Sequence, residues 1–218
     1  MVKPQNTLAN VWTLWYELKS ETDAIKSGVY VDKLNEVCSM DSVESFHQYY
    51  SYLKAPAQLP MHSTLYIFRD HMRPLWESFP EGGSWTYRLK RDSSKVNKVW
   101  ENLVLSCVGE GIGSPNVAGI TLGSRAKEFV ISIWLSSGQT SELRFQILEK
   151  LREILQFERN DTIQFKDFHS AILDDSSRVN AVTYRVKPAD AYQKRSVVDP
   201  KKKFILPDPV SGSFTFNY

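Results

Sequence analysis

NVAGITLGSRAKEFVISIWL, residues 116–135, is the stretch that decides the fold. From Phe129 onward the side chains alternate. Phe129, Ile131, Ile133 and Leu135 share one face, while Val130, Ser132 and Trp134 share the other. A period of two belongs to a strand, and a mixed second face leaves that side of the sheet for solvent or ligand. Asn116–Leu122 reads as the partner strand. Arg125 and Lys127 lie in the connection between the two, with the same parity.

The same reading extends in both directions. Strands are expected at Val11–Leu18, Thr64–Phe68, Trp85–Leu89, Thr162–Phe168 and Ala181–Val186. Three helices are interspersed. Asp41-Ser42 opens the first, with Val43, Phe46, His47 and Tyr50 on one face. Asp92, Ser93 and Ser94 are N-cap candidates for the second, Val96, Val99, Trp100, Leu103 and Cys107 form its apolar stripe, and Gly109 stands where a C′ glycine would. Ser141 begins the third, with Leu143, Ile147, Leu148, Leu151, Ile154 and Leu155 inward. Strands that follow one another directly predict an α+β fold, a mainly antiparallel sheet with helices packed on one face. The expected divisions are a flexible N-terminus at 1–10, a folded domain at 11–188, and a tail at 189–218 that is irregular or docked.

Composition bounds the function. With 218 residues, 42% of them apolar, the chain can bury the core of one domain. A net charge of +2 argues against a broad surface that neutralises nucleic-acid phosphates. Cys38 and Cys107 are the only cysteines, too few for a disulfide framework or a zinc site, which fits a reducing compartment. Met1–Asn10 lacks the apolar run of a signal peptide, and no stretch approaches the length of a membrane span.

The candidate chemistry lies at Trp76-Glu77, a flat π surface beside a carboxylate, with Arg125 and Lys127 as cations downstream. A charged purine nucleotide is the complement. Its ring stacks on indole, its N–H edge donates to a carboxylate, and its phosphates accept from Arg and Lys. An enzyme acting on nucleotides would need metal-binding carboxylates or a nucleophile–base pair. The sequence shows no H-x-x-x-H, no Walker loop and no Cys beside a plausible base, and Gly109, Gly111 and Gly113 follow a helix rather than a strand. No catalytic residue, metal or cofactor is expected.

Six motifs then occur in order: VWTLWY at 11–16, SVESFH at 42–47, RPLWE at 73–77, GGSW at 82–85, VWENLVLSCVGE at 99–110 and SRAKEFVISIW at 124–134. Together they resemble the eukaryotic translation initiation factor 4E family, which binds the messenger RNA 5′ cap, over roughly residues 8–186. The resemblance implies a strongly curved antiparallel sheet with three helices on its convex back and the ligand site on the concave face. It places the cap guanine between Trp76 and a second aromatic, here Tyr30 where the family has Trp. Glu77 would accept from guanine N1–H and the 2-amino group, and the backbone N–H of Trp76 would meet O6. Trp134 would touch the N7-methyl group, and Arg125 and Lys127 would hold the phosphates, with Arg178 and its neighbours Ser176 and Ser177 close by.

The chain also departs from the family pattern. Val130 replaces a third phosphate-binding Lys and Ser84 replaces a common Arg, so positive charge is lost beside the phosphates. On the convex face the family binds a helical YxxxxLΦ peptide of scaffold proteins and repressors. Val43 and Leu105 match that surface, whereas His47 replaces a Trp and Asn102 an acidic residue. The expected partners are therefore capped mRNA and a helical scaffold or repressor peptide, with no membrane, for a protein monomeric on its own. The expected location is the cytoplasm, with the nucleus second. The alternatives are an interaction module or translational repressor with a weakened cap pocket and, behind it, a nucleotide or cap hydrolase.

Overall fold

The computed structural model describes residues 6–19, 34–137, 140–158 and 160–186. Among them eight strands form a single curved, open sheet: β1 (Thr7–Leu18), β2 (Asn35–Ser42), β3 (Ser63–Arg69), β4 (Gly83–Lys90), β5 (Val117–Ser124), β6 (Glu128–Leu135), β7 (Thr162–Asp167) and β8 (Val182–Arg185). Their order is β2-β1-β3-β5-β6-β4-β7-β8, and every neighbouring pair is antiparallel. The alternation read from residues 129–135 extends across the sheet. Trp12, Leu14, Leu65, Ile67, Trp85, Tyr87, Ile120, Leu122, Ile131 and Ile133 point to the back and form the main core.

Three helices close that core from the convex side: α1 (Val43–Tyr50), α2 (Val96–Val108) and α3 (Ser141–Leu155). Ser42 caps α1, accepting from Ser45 N–H while the Ser45 hydroxyl accepts from Ser42 N–H. Phe46 and Tyr50 of α1 turn inward and stack at 5.1 Å, which leaves Val43 and His47 outside. In α3, Ile147, Leu148, Leu151 and Leu155 are buried as the 3.6-residue period requires, and Thr140 caps the first turn.

The structure departs from the expected elements at four points. β1 starts at Thr7, ahead of the expected Val11. β2 was not expected, because NEVCSMDS carries no clean alternation and lies at the sheet edge, where pairing with β1 supplies its order. α2 starts after Lys95 rather than after Asp92, Ser93 or Ser94, and no side chain caps it. Gly109 ends it at φ −85, with Glu110 taking the left-handed conformation at φ 57. A side chain at Gly109 is excluded because its Cβ would lie 2.9 Å from the Leu105 carbonyl oxygen.

A fourth helix, α4 (Phe168–Asp174), corrects the expected count of three. It follows β7 directly, capped by Asp167, whose carboxylate accepts from Ser170 N–H at 2.8 Å. Its Phe168 and Ala171 join a second apolar cluster with Trp15, Tyr66, Phe68, Phe79, Ala118 and Trp134, on the sheet face opposite the main core. Gly119 permits this packing, since a Cβ there would sit 2.5 Å from the Phe68 ring. Helices therefore cover the back, and a small aromatic cluster covers part of the front.

Candidate functional site on the concave face

Trp76 and Glu77 open a 3-10 turn, Trp76–Ser78, closed by Ser78 N–H to Leu75 O at 3.1 Å and Phe79 N–H to Trp76 O at 2.9 Å. Phe79 anchors the turn by burying its ring beside Phe68, Trp134 and Phe168. Gly82 then brings the chain back hard against the sheet. Its Cβ would lie 2.2 Å from Leu135 O, so only glycine fits. The Trp76 indole is half-buried against the cluster that contains Trp134. The backbone N–H of Trp76 is the first of the turn and has no acceptor within it. The Glu77 carboxylate is exposed and, among the described residues, has no hydrogen-bond or ion-pair partner.

Trp134 lies beneath this turn. Phe68 meets it edge-on at 5.3 Å and Phe168 tilts against it at 4.5 Å, leaving 6% of the residue exposed. Ser84 is its cross-strand partner on β4 and is itself buried.

The cations sit further along the same face. The Arg125 guanidinium folds back over Gly123, whose absent side chain makes the room: an added Cβ would lie 2.9 Å from Cζ and Nη2. Nη1 donates to Ser63 O at 2.8 Å and to Ser124 O at 3.1 Å, and Nη2 donates to Thr64 Oγ1 at 3.0 Å. Among the described residues three of its five donors are used and two are not. Lys127 is exposed in the hairpin. Arg178 reaches the same region from the loop after α4, its Nη2 3.5 Å from Glu128 Oε1. That loop is tied down by buried Lys166, which pairs with Asp174 and donates to Val179 O.

Arg88 on β4 belongs to this group and was missed from the sequence. It donates from Nη1 to Glu128 Oε1 at 2.9 Å and from Nε to Gln164 Oε1 at 3.3 Å. Burial first, then the positive fields of Arg178 and Arg125, hold its guanidinium below the ordinary value, while Glu128 opposes them. Its cross-strand neighbour is Val130. The sequence signal was one of parity: Trp85, Tyr87 and Leu89 face the core, so Arg88 faces the front. The β4–β6 register was needed to show what it stands beside.

Tyr30 falls outside the described residues, as does the tail at 189–218. The convex-face candidates are placed as follows. Val43 is 50% and Leu105 51% exposed, His47 is exposed and Asn102 half-buried, on α1 and α2. Burial, and then the charge of Glu101 on α2, push the Tyr50 phenol of α1 up to about 12.

The family profile of eukaryotic initiation factor 4E matches residues 7–183. The chain is similar to eukaryotic translation initiation factor 4E1 of Drosophila melanogaster, 32% identical over 182 residues, covering 82% of this chain and 68% of the relative. It is also similar to eukaryotic translation initiation factor NCBP of Oryza sativa subsp. japonica, 29% identical over 172 residues, with 78% and 74% covered. Among solved structures, Ascaris suum eIF4E-3 in complex with m2,2,7G cap superposes with TM-score 0.68 at 22% identity, over 75% of this chain and 92% of that one. C. elegans eIF4E-3 in complex with the 4E-binding protein Mextli and cap analog gives 0.70 at 22%, over 81% and 99%. These structural likenesses speak for the fold, and the profile, which spans most of the sheet and all three back helices, speaks for descent: the chain belongs to the eukaryotic initiation factor 4E family.

Proposed function

We propose that this protein binds the 7-methylguanosine 5′ cap of mRNA in translation initiation, as a binding protein rather than an enzyme. The observation that carries the reading is the grouping on the concave face. Half-buried Trp76 lies against the Trp134 cluster, Glu77, which has no partner among the described residues, stands beside it, and guanidiniums lie further along the same sheet. Family membership, and relatives named as initiation factors, support a role in translation initiation.

In this reading the methylated guanine, positively charged, stacks between Trp76 and Tyr30. Each cation–π face contributes about 0.5–2 kcal/mol. Glu77 accepts from N1–H and the 2-amino group, Trp76 N–H donates to O6, and Trp134 meets the N7-methyl group. Arg125, Lys127 and Arg178 face the phosphates. Uncharged guanine forfeits both the cation–π gain and the charge-assisted bonds to Glu77, so preference for the methylated base follows from the ring charge.

The test is a tryptophan-fluorescence titration with 7-methylguanosine triphosphate and with guanosine triphosphate. Quenching that depends on the methyl group is expected. Equal response to both ligands, or response to neither, would refute the reading.

The exposed Val43, His47 and Leu105, with Asn102, form the surface on which a helical scaffold or repressor peptide docks in this proposal. The solved relative in complex with Mextli supports that class of partner. His47 offers less apolar area than Trp, so the peptides accepted here differ from those that select an indole.

A further inference from the structure

We propose that Arg88 is a phosphate-binding residue of this protein, with Glu128 as the counterion that holds it until ligand arrives. The inference rests on the cap-binding reading and adds to it a residue at a position outside the motifs.

Gly123, Val130 and Arg88 are consecutive cross-strand partners on β5, β6 and β4. The Arg125 guanidinium lies over Gly123, so two guanidiniums flank the Val130 side chain on one face. Position 130 is where the family resemblance led us to expect a phosphate-binding cation and the chain has none. Arg88 supplies a cation from the adjacent strand at the same level. Trp134 and Val130 are four positions apart on β6, roughly 13 Å of strand. That is the separation needed for a base at one end and a polyphosphate at the other.

Charge and donor counts agree. Among the described residues Arg88, Arg125 and Arg178 place three positive charges here beside the Glu128 carboxylate, whose Oε1 is shared by Arg88 and Arg178, while the buried Glu17 carboxylate lies in the same cross-strand row beyond Thr64. The mutual repulsion of the three is relieved by an anion. Arg88 uses two of its five donors, on Gln164 and Glu128, leaving three. Its side chain is 19% exposed, enough for a ligand to reach and buried enough to resist screening by salt.

The experiment compares 7-methylguanosine with its triphosphate on the full chain, by fluorescence titration at two salt concentrations. In Arg88→Gln the affinity for the triphosphate is expected to fall about tenfold, as for loss of a charge-assisted bond, with the nucleoside unchanged. The salt dependence becomes shallower. Glu128→Gln, which removes the competing carboxylate, is expected to raise triphosphate affinity severalfold without affecting the nucleoside. It also keeps the test alive should Arg88→Gln fold poorly. An unchanged triphosphate affinity in Arg88→Gln, an equal loss for the nucleoside, or a fall in Glu128→Gln would overturn the assignment while leaving cap binding standing. Failure of the unmutated protein to bind either ligand would remove the cap reading, and this inference with it.

Discussion

Gly123→Ala should unseat Arg125, and the size of the effect follows from the contacts. The added Cβ would lie 2.9 Å from Cζ and Nη2 and 3.0 Å from Nη1, and these are its three nearest atoms. Comfortable carbon contacts are about 3.5–4.0 Å, so the guanidinium must withdraw by roughly half an ångström or more. The bonds to Ser63 O at 2.8 Å and Thr64 Oγ1 at 3.0 Å have little slack before they pass the hydrogen-bond limit, about 3.2 Å. Charge-assisted bonds contribute about 1.5–3 kcal/mol each when buried. Arg125 is half-buried and rehydrates on swinging out, which reduces the joint loss to about 1–2 kcal/mol. Alanine in place of a strand glycine returns about 0.5–1 kcal/mol. The net is a loss of about 1 kcal/mol, or roughly 2–4 °C in Tm. The decisive assay is a double-mutant cycle by urea denaturation with tryptophan fluorescence. In an Arg125→Ala background the clash is gone, so Gly123→Ala should cost nothing or stabilise slightly, giving a coupling of about 1–2 kcal/mol. Additive losses would refute the seat of Arg125 over Gly123.

Further outcomes are equally specific. Glu77→Ala should leave Tm within about 2 °C, because the carboxylate is exposed and has no partner among the described residues, while reducing 7-methylguanosine triphosphate affinity at least about a hundredfold through two lost charge-assisted bonds. Retained affinity with unchanged methyl preference in the titration would contradict the pocket. Leu148→Ala, at a fully buried position on α3, should cost about 2–5 kcal/mol in denaturant melts, and a loss under about 1 kcal/mol would mean α3 is not packed as described. The hydrogen bond from Lys166 holds the Asp174 carboxyl below its ordinary range. A lowered folded value means the pair stabilises fully above the unfolded value, about 3.9, and loses that contribution as pH falls through the folded one. Asp174→Asn should therefore flatten stability against pH below about pH 4, and an unchanged acid limb would show that the pair does not anchor the Arg178 loop.

The elements easiest to read were those whose side chains are sorted by one dominant requirement. β6 alternates because its back face fills the core, and α3 repeats at helical spacing for the same reason. β2 and α4 were illegible because their burial comes from distant neighbours. β2 is an edge strand with few buried positions, and α4 is a short segment held by Phe79 and Trp134 from other parts of the chain. The Gly109 expectation failed by one residue, since Glu110 tolerates the left-handed conformation while the Leu105 carbonyl leaves no room for a Cβ at 109.

By itself the sequence determined the layer architecture and the family, because both depend on periodicity and on the order of local motifs, which the chain carries in one dimension. It also determined the types of group available: indole, carboxylate and guanidinium. Which of these groups stand together was decided only by the tertiary structure. Arg88 and Val130 lie 42 positions apart and Arg88 and Arg178 further still, and nothing local links them. Strand register places Arg88 beside Val130, the missing side chain at Gly123 seats Arg125, and the Lys166 anchor brings in the loop of Arg178. Charge acts through space at a few ångströms, so the electrostatic character of the face belongs to the fold rather than to any segment of the chain.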